Sequence, residues 1–190
     1  MYQTKKGKKL TKLPCIKNVE TIAESRLFNI EKIEVIFPNS KREYYERLSG
    51  HNSGGVMVVP LIEDHTVLLV REYSAGLERY ELGFVRGGIE KGELAKDAAN
   101  REMREEVGYA SRELLLLKKV SVWPNYSPFE TSIFMASSLY RDPLIGDEPE
   151  KIEILRWPIK TLGALRSRDD FTDARSLFAT YLIQDYIENK

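Results

Sequence analysis

Gly87-Gly88-Ile89-Glu90-Lys91-Gly92-Glu93 is separated by seven residues from Arg101-Glu102-Met103-Arg104-Glu105-Glu106-Val107-Gly108. The glycines mark a loop, and the chain from about 94 to 107 reads as a helix. Ala99, Met103 and Val107 recur every four residues as a buried stripe. Ala95 and Ala98 allow close packing under the first turns, and Gly108 suits a C-cap. Glu102 lies three residues before Glu105 and four before Glu106. At about 100° per residue, the three project over one arc of surface. Carboxylates this close repel unless a cation neutralises them or they share protons. An oxygen-only cluster suits a hard ion such as Mg²⁺, which pairs one or two carboxylates with substrate phosphates. Arg101, four residues before Glu105, is spaced to orient a carboxylate through a charge-assisted bond. Backbone carbonyls near Gly87-Gly88 are available to complete the coordination. An amphipathic helix with a solvated acidic face is the plainer alternative, but it does not account for the glycines and the spacing together.

Outward from this segment the chain is strand-rich. Residues 28–37 have strand composition, 38–41 read as a turn and 42–47 as a return strand. Gly54-Gly55 opens a buried strand over 56–62. A turn at 63–65 leads into a strand over 67–73, and 79–85 reads as one more strand. Beyond the helix, 114–122, 131–139 and 152–157 read as strands and 173–187 as a final helix. Leu177, Tyr181, Ile183 and Tyr186 are among its apolar residues. Strands around two or three helices make an α/β (α+β) layered domain.

The charged and glycine positions spell Gly-x5-Glu-x7-Arg-Glu-apolar-x-Glu-Glu-x-Gly, and this resembles the box motif of the Nudix hydrolases. Gly87, Glu93, Arg101, Glu102, Glu105, Glu106 and Gly108 all match; Tyr109 replaces the usual aliphatic residue. Seven fixed positions at roughly 6–7% usage each coincide by chance on the order of 10⁻⁸ per start. The resemblance implies a mixed sheet sandwiched between helices, with the box as strand, loop and helix. It makes Glu102 and Glu106 the direct ligands of Mg²⁺, with Mn²⁺ as a substitute. Glu105 is a ligand or the water-activating base, and Glu93 has a supporting role. The ion would bind phosphate oxygens and lower the pKa of a water. In ADP-ribose pyrophosphatases of this family, an acidic loop before a late strand supplies a base or metal ligand. Carried to 146–150, that role falls on Glu148 first and Glu150 second; a solvated acidic turn is the alternative.

Further matches at 18–21, 25–28, 71–73, 80–84, 146–150 and 156–158 resemble the branch that hydrolyses ADP compounds. That implies ADP-ribose, NADH and short diadenosine polyphosphates as substrates, with AMP released. Pro124 and Tyr126, 15 and 17 residues after Tyr109, agree with mixed specificity. Arg71, Arg79 and Glu81 lie on the path into the box and are candidate substrate contacts, since Arg suits phosphate. Trp123 is a candidate base-stacking residue and Trp157 a core residue. An ADP-ribose or ADP-sugar specialist is the runner-up, and a non-catalytic nucleotide-binding Nudix module the reading from another class. Homodimerisation is implied by resemblance, through strands at 19–47.

Composition bounds the rest. At 190 residues the chain reads as a basic, flexible tail over 1–18 and a single domain over 19–190. The first 14 residues carry five lysines and no acid: Lys5, Lys6, Lys8, Lys9 and Lys12. A polyanion-binding arm is the alternative to a solvated tail. Zero net charge argues against nucleic acid as a partner, and no apolar run reaches membrane-spanning length. Cys15 is the only cysteine, which fits a reducing cytoplasm. His51 and His65 are isolated and are assigned no role.

Overall fold

Alternation within three apolar strands decides the layering. In the computed structural model, which describes residues 12–50, 54–62, 65–146 and 148–189, the strands are β4 (Gly55–Ile62), β5 (Thr66–Ser74) and β9 (Glu130–Arg141). Successive side chains of a strand point to opposite faces. Val56, Val58, Leu68, Val70, Phe134 and Ala136 accordingly form one buried cluster with Ala98, Ala99, Met103 and Val107 of α1 (Ala95–Glu106) and its C-cap. Met57, Val59, Val67, Leu69, Ile133 and Met135 form another, with Leu162 and Leu165 of α2 (Leu162–Arg166) and Ala179 and Ile183 of α3 (Ala174–Glu188). The sheet is therefore sandwiched between helices, as expected.

The described residues fall into two compact units. One joins residues up to 50 with Trp123–Pro128. Its sheet is antiparallel, in the order β1 (Cys15–Glu24), β2 (Asn29–Ile36), β3 (Arg42–Ser49). Every residue of β1 is exposed, including Ile16, Val19 and Ile22. β1 starts at Cys15, inside the stretch expected to be tail, because β2 is long enough to pair Ile36 with Cys15. Lys5, Lys6, Lys8 and Lys9 lie outside the described residues, as does His51. The Leu48 N–H donates to the Tyr126 carbonyl at 2.7 Å, which ties the 123–128 segment to β3.

Among the described residues the other unit holds seven strands, five of them in the order β10 (Glu153–Pro158), β5, β4, β9, β8 (Tyr109–Ser121) and two off this path. β4 and β9 run parallel and the remaining pairs antiparallel, so the sheet is mixed. The stretch expected as one strand over 79–85 is two. β6 (Arg79–Gly83) pairs with β5, and β7 (Val85–Gly88) pairs with β4. β4 and β5 themselves pair only at residues 61–62 with 66–67, so the sheet forks between them. β8 begins at Tyr109, before the apolar run that marks it, because pairing with β9 reaches back to Tyr109 and Arg141. No helix of the described residues is long and apolar enough to cross a membrane.

Helix α1 carries the box. It ends as expected: Val107 still donates to the Met103 carbonyl at 3.1 Å, and Gly108 then turns left-handed at φ 74°. Asn100 accepts from the Ser111 N–H at 2.8 Å and pins the helix to β8. Met103 is fully buried. Met103→Ala should therefore cost about 2–4 kcal/mol through a cavity. Denaturant melts that show no loss would mean the apolar face is not the one described.

Candidate active site

Because 68 and 70 face α1, alternation brings Glu72 of β5 to the same side of the sheet. Glu72, Glu106 and Glu148 each offer a carboxylate oxygen, all within 4.8 Å of one another, the one such grouping among the described residues. Glu106 is 5% exposed. One of its oxygens accepts from the Arg86 N–H at 3.2 Å; the other, Oε2, is buried with no hydrogen-bond partner among the described residues. An orphaned carboxylate oxygen is costly unless a cation or proton meets it. The oxygen-only donor set therefore fits a hard divalent cation.

Arg101 organises the remaining box carboxylates. Its guanidinium grips Glu93 through Nε at 3.0 Å and Nη2 at 3.1 Å. Nη1 donates to Glu102 at 2.7 Å and to Glu105 at 3.0 Å, and Nη2 to the Gly88 carbonyl at 2.9 Å. The link to Glu105 is the one expected from spacing; those to Glu102 and Glu93 are additional. The expected metal set of Glu102, Glu105 and Glu106 thus meets a different grouping. Arg101 bonds to Glu102 and Glu105, whereas Glu106 lies with Glu72 and Glu148. Gly87 is glycine for space, since a Cβ there would run into the Glu102 carboxylate.

The loop after β9 separates its two glutamates. Glu148 joins the cluster, while Glu150 accepts a hydrogen bond from Tyr80. Asp147 lies outside the described residues. A cleft of about 590 Å³ is lined by Glu105, Glu106, Glu148 and Glu150, with Arg141 and Lys151 bringing positive charge. Neither cation was singled out in the sequence. Arg71 is held by Asp170 at 2.6 Å and Glu153 at 3.1 Å. Glu81, buried, accepts from Arg79 at 2.6 Å and from the Thr172 hydroxyl at 2.9 Å. These three expected substrate contacts therefore brace β5 and β6 against residues 170–172, with Arg79 the most exposed of them. In the first unit, Trp123 and Tyr126 line an apolar groove with Ile30 and Leu48. Trp157 is half-buried and donates to the Thr161 carbonyl at 3.1 Å.

Sequence reasoning gave no role to Glu72 or Arg86. The available signal was the alternation that turns 68, 70 and 72 to one face. Arg86 serves two carboxylates: its N–H meets Glu106, and its Nη2 meets Glu72 at 2.9 Å.

Burial pushes the Glu102 carboxyl up to about 7, against the opposing pull of Arg101. Burial pushes Glu106 well above the ordinary carboxylate range, with the Glu72 charge adding to it. Glu72 is also raised, by burial first and less by Glu148, with Arg86 opposing. A carboxyl raised in the folded state contributes stability that is present below its unfolded value of about 4.5 and lost as pH rises through the folded value. The metal-free protein should therefore lose on the order of 1–3 kcal/mol between pH 5 and 8. Asp170, held low first by its bond from Arg168, and Glu93, held low by Arg101, act in the opposite sense only below that window. Thermal melts in chelator at both pH values check this, and a higher Tm at pH 8 would contradict it. Adding a divalent cation should recover the loss at pH 8.

Comparison with known proteins gives the family of the chain. A model of the NUDIX domain matches residues 51–177, and a model of the NudE-type Nudix hydrolase N-terminal domain matches residues 14–47. The chain is 43% identical over 177 residues to the ADP compounds hydrolase NudE of Escherichia coli (strain K12), covering 93% of this chain and 95% of that protein. It is 25% identical over 172 residues to the ADP-ribose pyrophosphatase of Bacillus subtilis (strain 168), covering 87% and 92%. A crystal structure of an ADP compounds hydrolase superposes with a TM-score of 0.88 at 42% identity, over 96% of this chain and 98% of that one.

Proposed function

This chain belongs to the Nudix hydrolase family, and on that premise we propose that it is a Mg²⁺-dependent pyrophosphatase of ADP-linked compounds. The substrates are ADP-ribose, NADH and short diadenosine polyphosphates, cleaved to AMP and the other phosphorylated half. The observation that carries the hydrolytic reading is the buried, unpartnered Oε2 of Glu106 within a group of carboxylates. A diphosphate and an acidic site repel, and a cation between them removes the conflict. The likeness to an ADP compounds hydrolase over nearly the whole chain supports the substrate class.

In this reading Glu102, Glu105 and Glu106 belong to the cation site, with Mn²⁺ a substitute for Mg²⁺. When bound, the ion supplies charge neutralisation at phosphorus and acidifies water. Glu148 offers one carboxylate oxygen to the cation and accepts the proton of the attacking water, with Glu105 and Glu150 the alternatives for the proton. Arg101 orients Glu102 and Glu105. Arg79 contacts substrate phosphate, while Arg71 and Glu81 hold the strands that present it. Arg141 and Lys151 in the cleft add positive charge for the second phosphate.

The experiment is a panel of ADP-ribose, NADH, diadenosine triphosphate, ADP-glucose and a dNTP with Mg²⁺, products resolved by chromatography. AMP from the first three supports the proposal. Turnover of ADP-ribose or ADP-glucose alone would favour the specialist reading, which names of more distant relatives support. Turnover of none would leave a nucleotide-binding module.

We further propose a cytoplasmic homodimer. Ile16, Val19 and Ile22 of β1 are exposed among the described residues, and a second copy would bury them. A monomer by light scattering at micromolar concentration would rule this out.

A further inference from the structure

The geometry points to Glu72, a strand residue outside the box, as a direct ligand of the divalent cation together with Glu106 and Glu148. This rests on the cation-dependent reading above and extends it to a residue that the box pattern does not contain.

Three separate segments converge on one point. β5 brings Glu72, α1 brings Glu106 and the loop at 146–150 brings Glu148. Such convergence needs a reason, because three carboxylates within 4.8 Å repel strongly when ionised. Proximity of acids alone would not make a site. The independent observation is Glu106, 5% exposed, with one oxygen buried and unbonded. Protein groups within reach have not satisfied it, and a cation shared with its two neighbours would.

Glu72 is also held in place for such a role. Its Oε2 accepts from Arg86 Nη2 at 2.9 Å, and its side chain is about 20% exposed. One charge-assisted bond occupies one oxygen and fixes the carboxylate, leaving the other oxygen's lone pairs for a metal. Gly83 at the end of β6 lacks the Cβ that would crowd the Arg86 guanidinium at 2.6 Å. A hydrogen-bonded partner behind a ligating carboxylate is the usual construction of a metal site. Glu102 and Glu105 are the obvious box alternatives and carry a similar guanidinium bond, from Arg101 at 2.7 and 3.0 Å; what sets Glu72 apart is that it, and not they, lies within 4.8 Å of both Glu106 and Glu148. The donor set is all oxygen, which selects Mg²⁺ or Mn²⁺ over softer ions.

The test is Mn²⁺ binding to the full chain without substrate, by titration calorimetry, in wild type, Glu72→Gln and Glu106→Gln. Glutamine keeps an oxygen for Arg86 and removes the charge. Glu72→Gln should weaken Mn²⁺ binding by about 10–100-fold, with cation-free melting unchanged or raised. Glu72→Asp keeps the charge on a shorter arm and serves if the glutamine variant does not fold; it too should bind Mn²⁺ at least about tenfold more weakly. Wild-type affinity in the folded Glu72 variants, with affinity lost in Glu106→Gln, would overturn the inference and leave the wider reading standing. Wild-type affinity in Glu106→Gln as well would overturn both.

Discussion

Replacing Glu106 by glutamine is expected to lower kcat by about 10²–10⁴-fold, the range for loss of a positioned catalytic group. The argument starts from burial. A carboxylate that is 5% exposed beside Glu72 and Glu148 is tolerated only because something compensates it. In the proposed mechanism that something is the cation on which turnover depends. Chelation by EDTA should therefore abolish activity in the wild type, reversibly on adding Mg²⁺. The fold should survive the substitution, because α1 is anchored by the buried Ala99, Met103 and Val107, which the change leaves in place, and glutamine has nearly the volume of glutamate. Without metal the variant should melt higher at pH 8, since a neutral amide replaces a buried, repelled charge. A Glu106→Gln enzyme within threefold of wild type, or full turnover in EDTA, would refute the assignment. A variant that loses both activity and stability would place Glu106 in the framework instead.

Local signals carried much of the architecture. The alternating apolar residues of β4 and β5 are visible in the chain itself, and they set the two-faced core. The spacing of Ala99, Met103 and Val107 orients α1, and Gly108 ends it where its positive φ requires a glycine. What stayed hidden depends on pairing across distance. Nothing in residues 79–85 signals that the first five pair with β5 and the last joins β7 on β4. Phe84 falls between the two and is buried like its neighbours, so the composition reads as one strand. The early start of β1 was hidden likewise, because pairing with β2 extends it through residues without strand character. The five-residue α2 is too short for a periodic signal.

The site was legible as a motif and less so as a geometry. Spacing put Glu102, Glu105 and Glu106 on one arc, but a single guanidinium from the same helix divides them. Spacing shows that Arg101 reaches Glu105; it does not show that the same nitrogen also reaches Glu102. Glu72 was legible in part: alternation puts it on the face of Leu68 and Val70, but that this face packs with α1 is a contact between segments about thirty residues apart that no periodicity encodes. Arg71, Arg79 and Glu81 show the converse. Their charges suit a nucleotide, yet Asp170 and Thr172, far along the chain, take them up as braces.

The second large effect is expected at the loop of 146–150. Glu148→Gln should lower kcat by about 10²-fold or more with little change in KM, whereas Glu150→Gln should not. Glu148 reaches the carboxylate cluster and Glu150 bonds to Tyr80, so the two substitutions address different surroundings. An effect on kcat alone means the lost interaction is made chiefly in the transition state, as for a group that takes a proton from the attacking water. Loss of Glu150 frees the Tyr80 hydroxyl and should change stability by no more than about ±0.5 kcal/mol, as other surface changes do. The reverse pattern, with Glu150→Gln crippled and Glu148→Gln normal, would move the proton acceptor towards Tyr80. Normal kinetics in both would return that role to Glu105, which Arg101 holds at 3.0 Å at the edge of the same cleft.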